Sequence, residues 1–271
     1  MTNRFDLDSK VLSVSVIVTT FNRVNLLRKT LDAILCQTLT DFELLVIDNM
    51  SEDGTREYVT GLADSRIHYF RNPNNGVIAV NRNYGIRNAC GRFVAFCDDD
   101  DLWLPDKLER QVSLLDSYPD VALCYTHAEA FLGSTVVTTR MNRRNVRQRH
   151  FYQLLRGNFF PNSSVVIRRA VFEELGLLTE DATLREDYEM WLRIARRYRL
   201  MGVDDSLIRY RMHPGNAAGN RATETLRAIR TVRSVVNELK IPRFLLWTNI
   251  GFQCAKYLFY RCRMRLAAGR A

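Results

Sequence analysis

Four consecutive aspartates, Asp98, Asp99, Asp100 and Asp101, follow the apolar run "RFVAFC" and precede "LWLP". Adjacent like charges repel, and more strongly at the edge of a protein interior than in water. A chain that concentrates carboxylates there needs a compensating cation. Hard oxygen ligands select Mg2+ or Mn2+, and such an ion is commonly held by one or two carboxylates while water and substrate phosphates complete its shell. The competing role is helix capping. Pro105 stands in the first turn of a helix, where negative charge is favoured by about 0.3–1 kcal/mol per group. One aspartate suffices for a cap, and four exceed it. Asn22 follows the apolar run "VSVIVTTF", and Asp48 closes "FELLVID". Glu186 and Asp187 open an amphipathic helix; taken alone, the pair is ordinary N-terminal helix charge. Arg82, taken alone, fits an exposed helix face equally well. Of the four histidines only His213, in a turn before Pro214 and Gly215, merits a metal or phosphate role. No GxxxxGK[ST] or GxGxxG cradle occurs, so phosphate would be held mainly through metal.

The elements that must position these residues alternate. "LSVSVIVTTF", "FELLVID", "RIHYFRN", "RFVAFCD" and "DVALCYTHAEAF" are strands, and the first two are apolar and continuous, as strands buried on both faces are. Helices lie between them over "RVNLLRKTLDAILCQ", "SEDGTREYVTGLA", "VIAVNRNYGIRNACG" and "LPDKLERQVSLLDSY". Strand–helix alternation with short connections predicts a mostly parallel α/β sheet with helices on both faces. Ligands in such sheets bind beyond the carboxyl ends of the strands, where Asn22, Asp48 and the aspartate run all fall. In the second half, "PNSSVVIRRAVFEELG" gives a strand and short helix, "LREDYEMWLRIARRY" a strong amphipathic helix, and "SLIRYRMHPGN" a strand running into a turn. Two helices broken by Pro242 complete the chain.

These motifs, in this order, resemble the inverting, nucleotide-sugar-dependent glycosyltransferases of family two, which have the GT-A fold. The resemblance covers residues 14–216. "VSVIVTTFNR" is similar to the first nucleotide-binding strand, which places Thr19, Phe21, Asn22 and Arg23 at the donor. "ELLVIDNMSEDGT" resembles the second, whose aspartate, here Asp48, reads the donor base. "NNGVIAVNRNYGIRNACG" resembles the family's glycine-to-Arg-Asn helix and places Arg82 near the donor. "FCDDDDLWLPDKLE" resembles the DxD strand end: Asp100 would bind the metal, Asp98 and Asp99 would face the ribose and donor sugar, and Asp101 would support or cap. "LREDYEMWLRIA" resembles the Glu-Asp segment, which implies Asp187 as general base with Glu186 on the acceptor side. Trp191, one turn on, either packs in the core or stacks under an acceptor sugar. His213 occupies the position of a histidine that approaches the metal or diphosphate. The resemblance implies a cofactor, Mn2+ or Mg2+, and a UDP-sugar donor ahead of a dTDP-sugar. The QxxRW segment of processive synthases is missing, so one sugar per encounter is expected. On this reading residues 1–219 form the GT-A domain, with a nucleotide-binding half over about 12–130 and an acceptor-side half over about 131–219.

Composition narrows the remaining classes. The 271 residues are 46% hydrophobic and 25% charged, as in an ordinary soluble globule. The net charge of +9 lies in the tail: from residue 220 onward there are eleven basic and two acidic residues, against 28 of each before it. The extension 220–271 therefore reads as basic and amphipathic, and its 243–271 portion as a peripheral membrane contact beside a glycan or lipid-linked glycan acceptor. The competing reading packs that helix on the body or in a homodimer interface. The arginine-rich stretch 140–149 is either a solvated face or a lid over diphosphate. Six cysteines without CxxC pairing read mostly as buried free thiols, and the start has no signal-like apolar run, so a cytoplasmic protein at the inner face of the membrane is expected. A phosphotransferase of the DxDxT kind would not carry Leu-Trp-Leu-Pro after its aspartates. A nucleotidyltransferase would need a glycine-rich first turn. A non-enzymatic binder of anionic surfaces would rely on the tail alone, and no nucleic-acid motif appears.

Overall fold

A computed structural model describes residues 12–138, 150–212, 221–242 and Gly251. The stretch 140–149, His213 and the segment 243–271, apart from Gly251, lie outside the described residues. Strands β1 (Val14–Thr20), β2 (Phe42–Asp48), β3 (Ile67–Arg71) and β4 (Phe93–Asp98) alternate with helices α1 (Val24–Leu35), α2 (Thr55–Thr60) and α3 (Ile78–Asn88). A two-residue strand β5 (Leu102–Trp103) leads into α4 (Lys107–Ser117), followed by the hairpin β6 (Val121–Leu132) and β7 (Thr135–Thr138). After α5 (His150–Leu154) come a 3-10 turn (Asn162–Ser164), β8 (Val166–Arg168), α6 (Ala170–Leu175), α7 (Glu186–Arg197), β9 (Arg199–Arg211) and α8 (Arg221–Glu238).

One sheet runs in the order β3-β2-β1-β4-β8-β6-β9-β5, with β7 paired to β6. β1 to β4, β6 and β9 share one direction, and β5, β7 and β8 oppose it. The sheet is therefore mostly parallel, as the alternation predicts, with a mixed half that it does not. Alternating side chains fill both faces. Val16, Val18, Leu44 and Val46 meet α1 and α4 through Leu27, Leu31, Leu108 and Leu115. Ile17, Leu45, Ile47 and Phe96 face the other way, toward α3, α5, α6, α7 and α8.

Two local features set up the site. In α3 a Cβ on Gly85 would lie 2.6 Å from Ile17 Cγ2, so glycine lets this helix settle against β1. That approach buries the polar trio Asn81, Arg82 and Asn83. Asn83 exchanges hydrogen bonds with Leu178, its Nδ2 donating to the carbonyl at 2.9 Å and its Oδ1 accepting from the amide at 3.0 Å. The second feature is α8, which buries Val232, Val235 and Val236 in the core that α7 occupies. The first helix of the extension is thus integral to the main body. Cys97 and Cys124 are buried free thiols, whereas Cys36 and Cys90 are exposed, which corrects the expectation for those two. Among the described residues no helix is long and apolar enough to cross a membrane.

Candidate active site

Parallel register brings three strand ends together: Thr20 lies opposite Asp48, and Thr19 opposite Asp98. The turns beyond them are laced to one another. Asn22 takes a φ of 50°, a left-handed conformation that Asn tolerates better than most residues. Its amide donates to Ser51 Oγ at 2.8 Å, and its Oδ1 accepts from the Glu52 amide at 2.8 Å. Asp53 accepts from the Val24 amide at 2.8 Å and so caps α1 from another loop. Phe21 projects beside this turn with 52% of its surface exposed. Thr19 is buried at the strand end.

Asp48 has no exposed surface, and both of its oxygens are engaged. Oδ1 accepts from the Ser51 amide at 2.9 Å and from Ser51 Oγ at 2.5 Å, while Oδ2 accepts from the Tyr69 hydroxyl at 2.5 Å. Burial and this hydrogen bond hold the Tyr69 hydroxyl far above its ordinary pKa. Asp48 therefore organises the β2–α2 turn that adjoins the aspartates.

The four aspartates have four different environments. Asp98 is the most open, its side chain 31% exposed; its Oδ1 accepts from Arg82 Nη2 at 2.7 Å and from Asn162 Nδ2 at 3.0 Å. Asp99 accepts from Thr20 Oγ1 at 2.8 Å and from Arg23 Nη1 at 3.2 Å, and the same nitrogen reaches Asp100 Oδ2 at 3.2 Å. Burial pushes Asp99 up to about 6 against the pull of Arg23 and Thr20. Asp101 is fully buried and structural. It accepts from Ser163 Oγ at 2.6 Å and from the Arg211 amide at 3.1 Å, so it joins the 3-10 turn to β9. Burial and the neighbouring aspartates hold its carboxyl well above the usual range.

Arg82 joins this shelf to α7. Its Nη2 holds Asp98 and its Nη1 donates to Glu186 Oε1 at 2.6 Å, across 104 positions of sequence. Burial opposes its charge, but Asp98, Glu186 and Asp187 outweigh that and keep the guanidinium protonated. This buried bridge replaces the helix-surface alternative. Asp187, in the first turn of α7, is also buried. Its Oδ1 accepts from the Tyr188 amide at 2.6 Å and its Oδ2 from Asn158 Nδ2 at 3.4 Å. The Asp187 charge acts on both Arg82 and Asp98, so the two acidic motifs form one electrostatic cluster.

Trp191 takes the core reading of the two, which removes it from the acceptor side. It has no exposed surface and lies among Phe96 and Phe160, with ring centroids 6.4 and 6.1 Å away, so it has no face to offer an acceptor sugar. Sequence reasoning also passed over Asn162 and Ser163. Ser163 Oγ accepts from the Asp98 amide at 3.0 Å and donates to Asp101, which clamps both ends of the aspartate run. "PNSS" carried one usable signal, a polar cluster directly before an apolar strand.

The acids fit a hard divalent cation of the kind held by few protein ligands. Among the described residues no three His, Cys, Asp or Glu side chains gather to hold a metal unaided. Yet Asp98, Asp99 and Asp100 crowd at one strand end, and the charges of Asp98 and Asp100 help to raise Asp99. A cation with water and phosphate oxygens in its remaining positions would relieve that repulsion.

Residues 15–176 match the family model for glycosyl transferase family 2, and the chain belongs to that family. An uncharacterized glycosyltransferase of Rickettsia felis is 31% identical over 213 residues, 74% of this chain; the chain spans about a third of that relative, 33% of its length. The Escherichia coli protein WfgD, UDP-Glc:alpha-D-GlcNAc-diphosphoundecaprenol beta-1,3-glucosyltransferase, is 28% identical over 79% of this chain and 83% of its own. The mannosyltransferase PcManGT of Pyrobaculum calidifontis, in complex with GDP-Man and Mn2+, superposes with a TM-score of 0.70 at 21% identity, over 97% of this chain and 77% of that one. At that identity the likeness concerns fold alone, and the fold is GT-A. Family membership sets aside the phosphotransferase and non-enzymatic readings. Helices α7 and α8 lie beyond the matched segment.

Proposed function

We propose that this glycosyltransferase moves one sugar per encounter from a nucleoside-diphosphate sugar to a hydroxyl of a glycan or lipid-linked glycan, with inversion. The observation that carries the reading is the Arg82 bridge, which joins a donor-side carboxylate, Asp98, to the turn that bears Asp187. A UDP-sugar is the first choice of donor and a dTDP-sugar the second; the UDP-glucose named for WfgD and its diphosphate-lipid acceptor support both halves of this assignment.

Asp100, with Asp98 beside it, would hold Mn2+ or Mg2+, and the bound ion would stabilise negative charge on the departing diphosphate as a Lewis acid. The Mn2+ of the PcManGT complex supports that choice. Thr20 and Arg23 fix Asp99 at the shelf, and Asn22 with Ser51 orders the turn on which the nucleoside would lie. Asp187 takes the proton from the acceptor hydroxyl on the opposite side of the sugar, and one carboxylate within hydrogen-bond reach is sufficient for that task. Arg82 occupies Glu186 Oε1 at 2.6 Å, and burial raises that carboxyl's pKa against the pull of the guanidinium, so of the two acids Asp187 is the one left for the hydroxyl.

Asp187→Asn retains size but removes the base, and its one carbonyl oxygen keeps only one of the Tyr188 and Asn158 contacts. Transfer from UDP-glucose should fall by about a thousand-fold in kcat while UDP binding stays unchanged. Full turnover by this variant would remove Asp187 from the mechanism.

A further inference from the structure

The first turn of α7 carries Glu186 and Asp187, and within it Asp187 accepts from the Tyr188 amide. Helix N-termini leave several amides without intrahelical partners, and the N-cap residue, Arg185, makes no side-chain capping bond. One such amide finds its partner on α8, which also reaches the backbone just before the helix. Thr231 Oγ1 accepts from the Arg185 amide at 2.9 Å. Arg227 Nη2 donates to the Leu184 carbonyl at 2.6 Å and lies 3.9 Å from Glu186 Oε2. Glu224 holds Arg227 Nη1 at 3.0 Å and lies 3.6 Å from Arg185 Nε. Thr231 is wholly buried and is flanked by Val232 and Val235 in the core, so this side of α8 is anchored.

The two oxygens of Glu186 consequently look in different directions. Oε1 accepts from Arg82, and Oε2 faces Arg227. The carboxylate is hydrogen-bonded at one oxygen and faces a second positive charge at the other, and the same arginine holds the backbone carbonyl just before the helix. A solvated i,i+3 pair between Arg227 and Glu224 would contribute little and would leave turnover untouched. Here the arginine also reaches the backbone carbonyl before α7 and the inward acid of its first turn.

We infer that Arg227 is a positioning residue for sugar transfer: it ties α8 to the first turn of α7 and so sets where Asp187 stands. This rests on the transfer reading above. Arg82 holds Asp98 directly, so the donor shelf does not depend on Arg227, and the two contributions separate. Misplacement of a reacting group by about 1 Å can cost on the order of a hundred-fold in rate.

The test compares wild type with Arg227→Met, which keeps the aliphatic stem, and with Arg227→Lys. UDP-glucose serves as the donor, UDP binding is measured by calorimetry, and amide exchange is followed across residues 184–190. The account expects Arg227→Met to unfold cooperatively, bind UDP within about two-fold of wild type and lose about ten- to fifty-fold in kcat, with Arg227→Lys recovering most of it. Amides in the first turn of α7 should exchange about ten-fold faster in Arg227→Met. A folded Arg227→Met with wild-type kcat overturns the inference, and so does a kcat loss matched by an equal loss of UDP affinity. If Arg227→Met does not fold, Thr231→Val carries the same comparison: slower turnover with intact UDP binding supports the brace, and unchanged turnover refutes it. Should wild type transfer no sugar at all, the function reading fails; exchange in the α7 turn then decides the brace, and unchanged exchange rejects it.

Discussion

Arg82, on the α3 side of the sheet, has 5% of its surface exposed, and Lys107, at the start of α4 on the other side, has none. Their surroundings differ completely. Arg82 lies between two carboxylates at 2.6 and 2.7 Å, and its charge is held. Lys107 Nζ has no hydrogen-bond partner; it sits 3.8 Å from the centroid of the Trp103 ring, beside the thiols of Cys97 and Cys124. Burial pulls its pKa down to about 7. Both cations are buried, but only Arg82 stands where α3, β4 and α7 converge on clustered acids. Burial alone does not mark a functional charge, whereas a guanidinium that spans β4 and α7 ties two motifs into one site.

The largest expected effect comes from removing the bridge. Arg82→Met leaves Asp98 and Glu186 without their shared cation, and breaking such a buried pair costs about 3–5 kcal/mol. Thermal unfolding should show that loss together with weaker UDP binding; a variant as stable as wild type would reduce the bridge to packing. Lys107→Met should act in the opposite direction. The lysine's folded pKa lies below its unfolded value, so its stabilising contribution is full above about pH 10.4 and is lost as pH falls through 7. At neutral pH that cost is on the order of 4 kcal/mol, and the Trp103 face offsets about 2 kcal/mol of it. The variant should therefore gain about 2 kcal/mol in denaturant unfolding near neutrality, and the gain should vanish toward pH 10. A loss at neutral pH would show the ammonium to be well accommodated.

The smallest effect tests how the shelf holds its charge. Asp99 has a raised folded pKa of about 6, so in metal-free protein its contribution is full below the unfolded value near 3.9 and is lost as pH rises through 6. Thr20→Val removes a hydrogen bond that favours the charged form. Stability curves of the two proteins should coincide at low pH and separate by about 1 kcal/mol above pH 6. Curves that run parallel throughout would mean the Thr20 bond does not govern this carboxyl.

The two sides of the comparison were not equally legible in sequence. β1, β2 and β4 are largely apolar runs that each finish in a polar residue, and parallel pairing carries those C-terminal ends to one edge. Register then follows from local pattern, and so do the positions of Thr20, Asp48 and Asp98. The mixed half follows no such rule. β8 is three residues long, β5 two, and each is placed by partners far away in sequence. Asn162 and Ser163 reach the aspartates across 64 and 65 positions, which no periodicity encodes. Arg82 shows the same limit. Its residue type and helix were readable, but its bridge to Glu186 depends on how closely α3 settles on β1, and Gly85 only permits that approach. Trp191 was ambiguous because an amphipathic helix exposes one edge of its apolar stripe, and only packing decides which side chain lies there.

The clustered acids at the end of β4 should bind a nucleotide diphosphate through a divalent ion. Calorimetric titration of UDP with and without Mn2+, on wild type and Asp100→Asn, tests this most directly. The account predicts that Mn2+ tightens UDP binding to wild type by about ten-fold or more and has almost no effect on Asp100→Asn. Equal metal dependence in both proteins, or none in wild type, would contradict it.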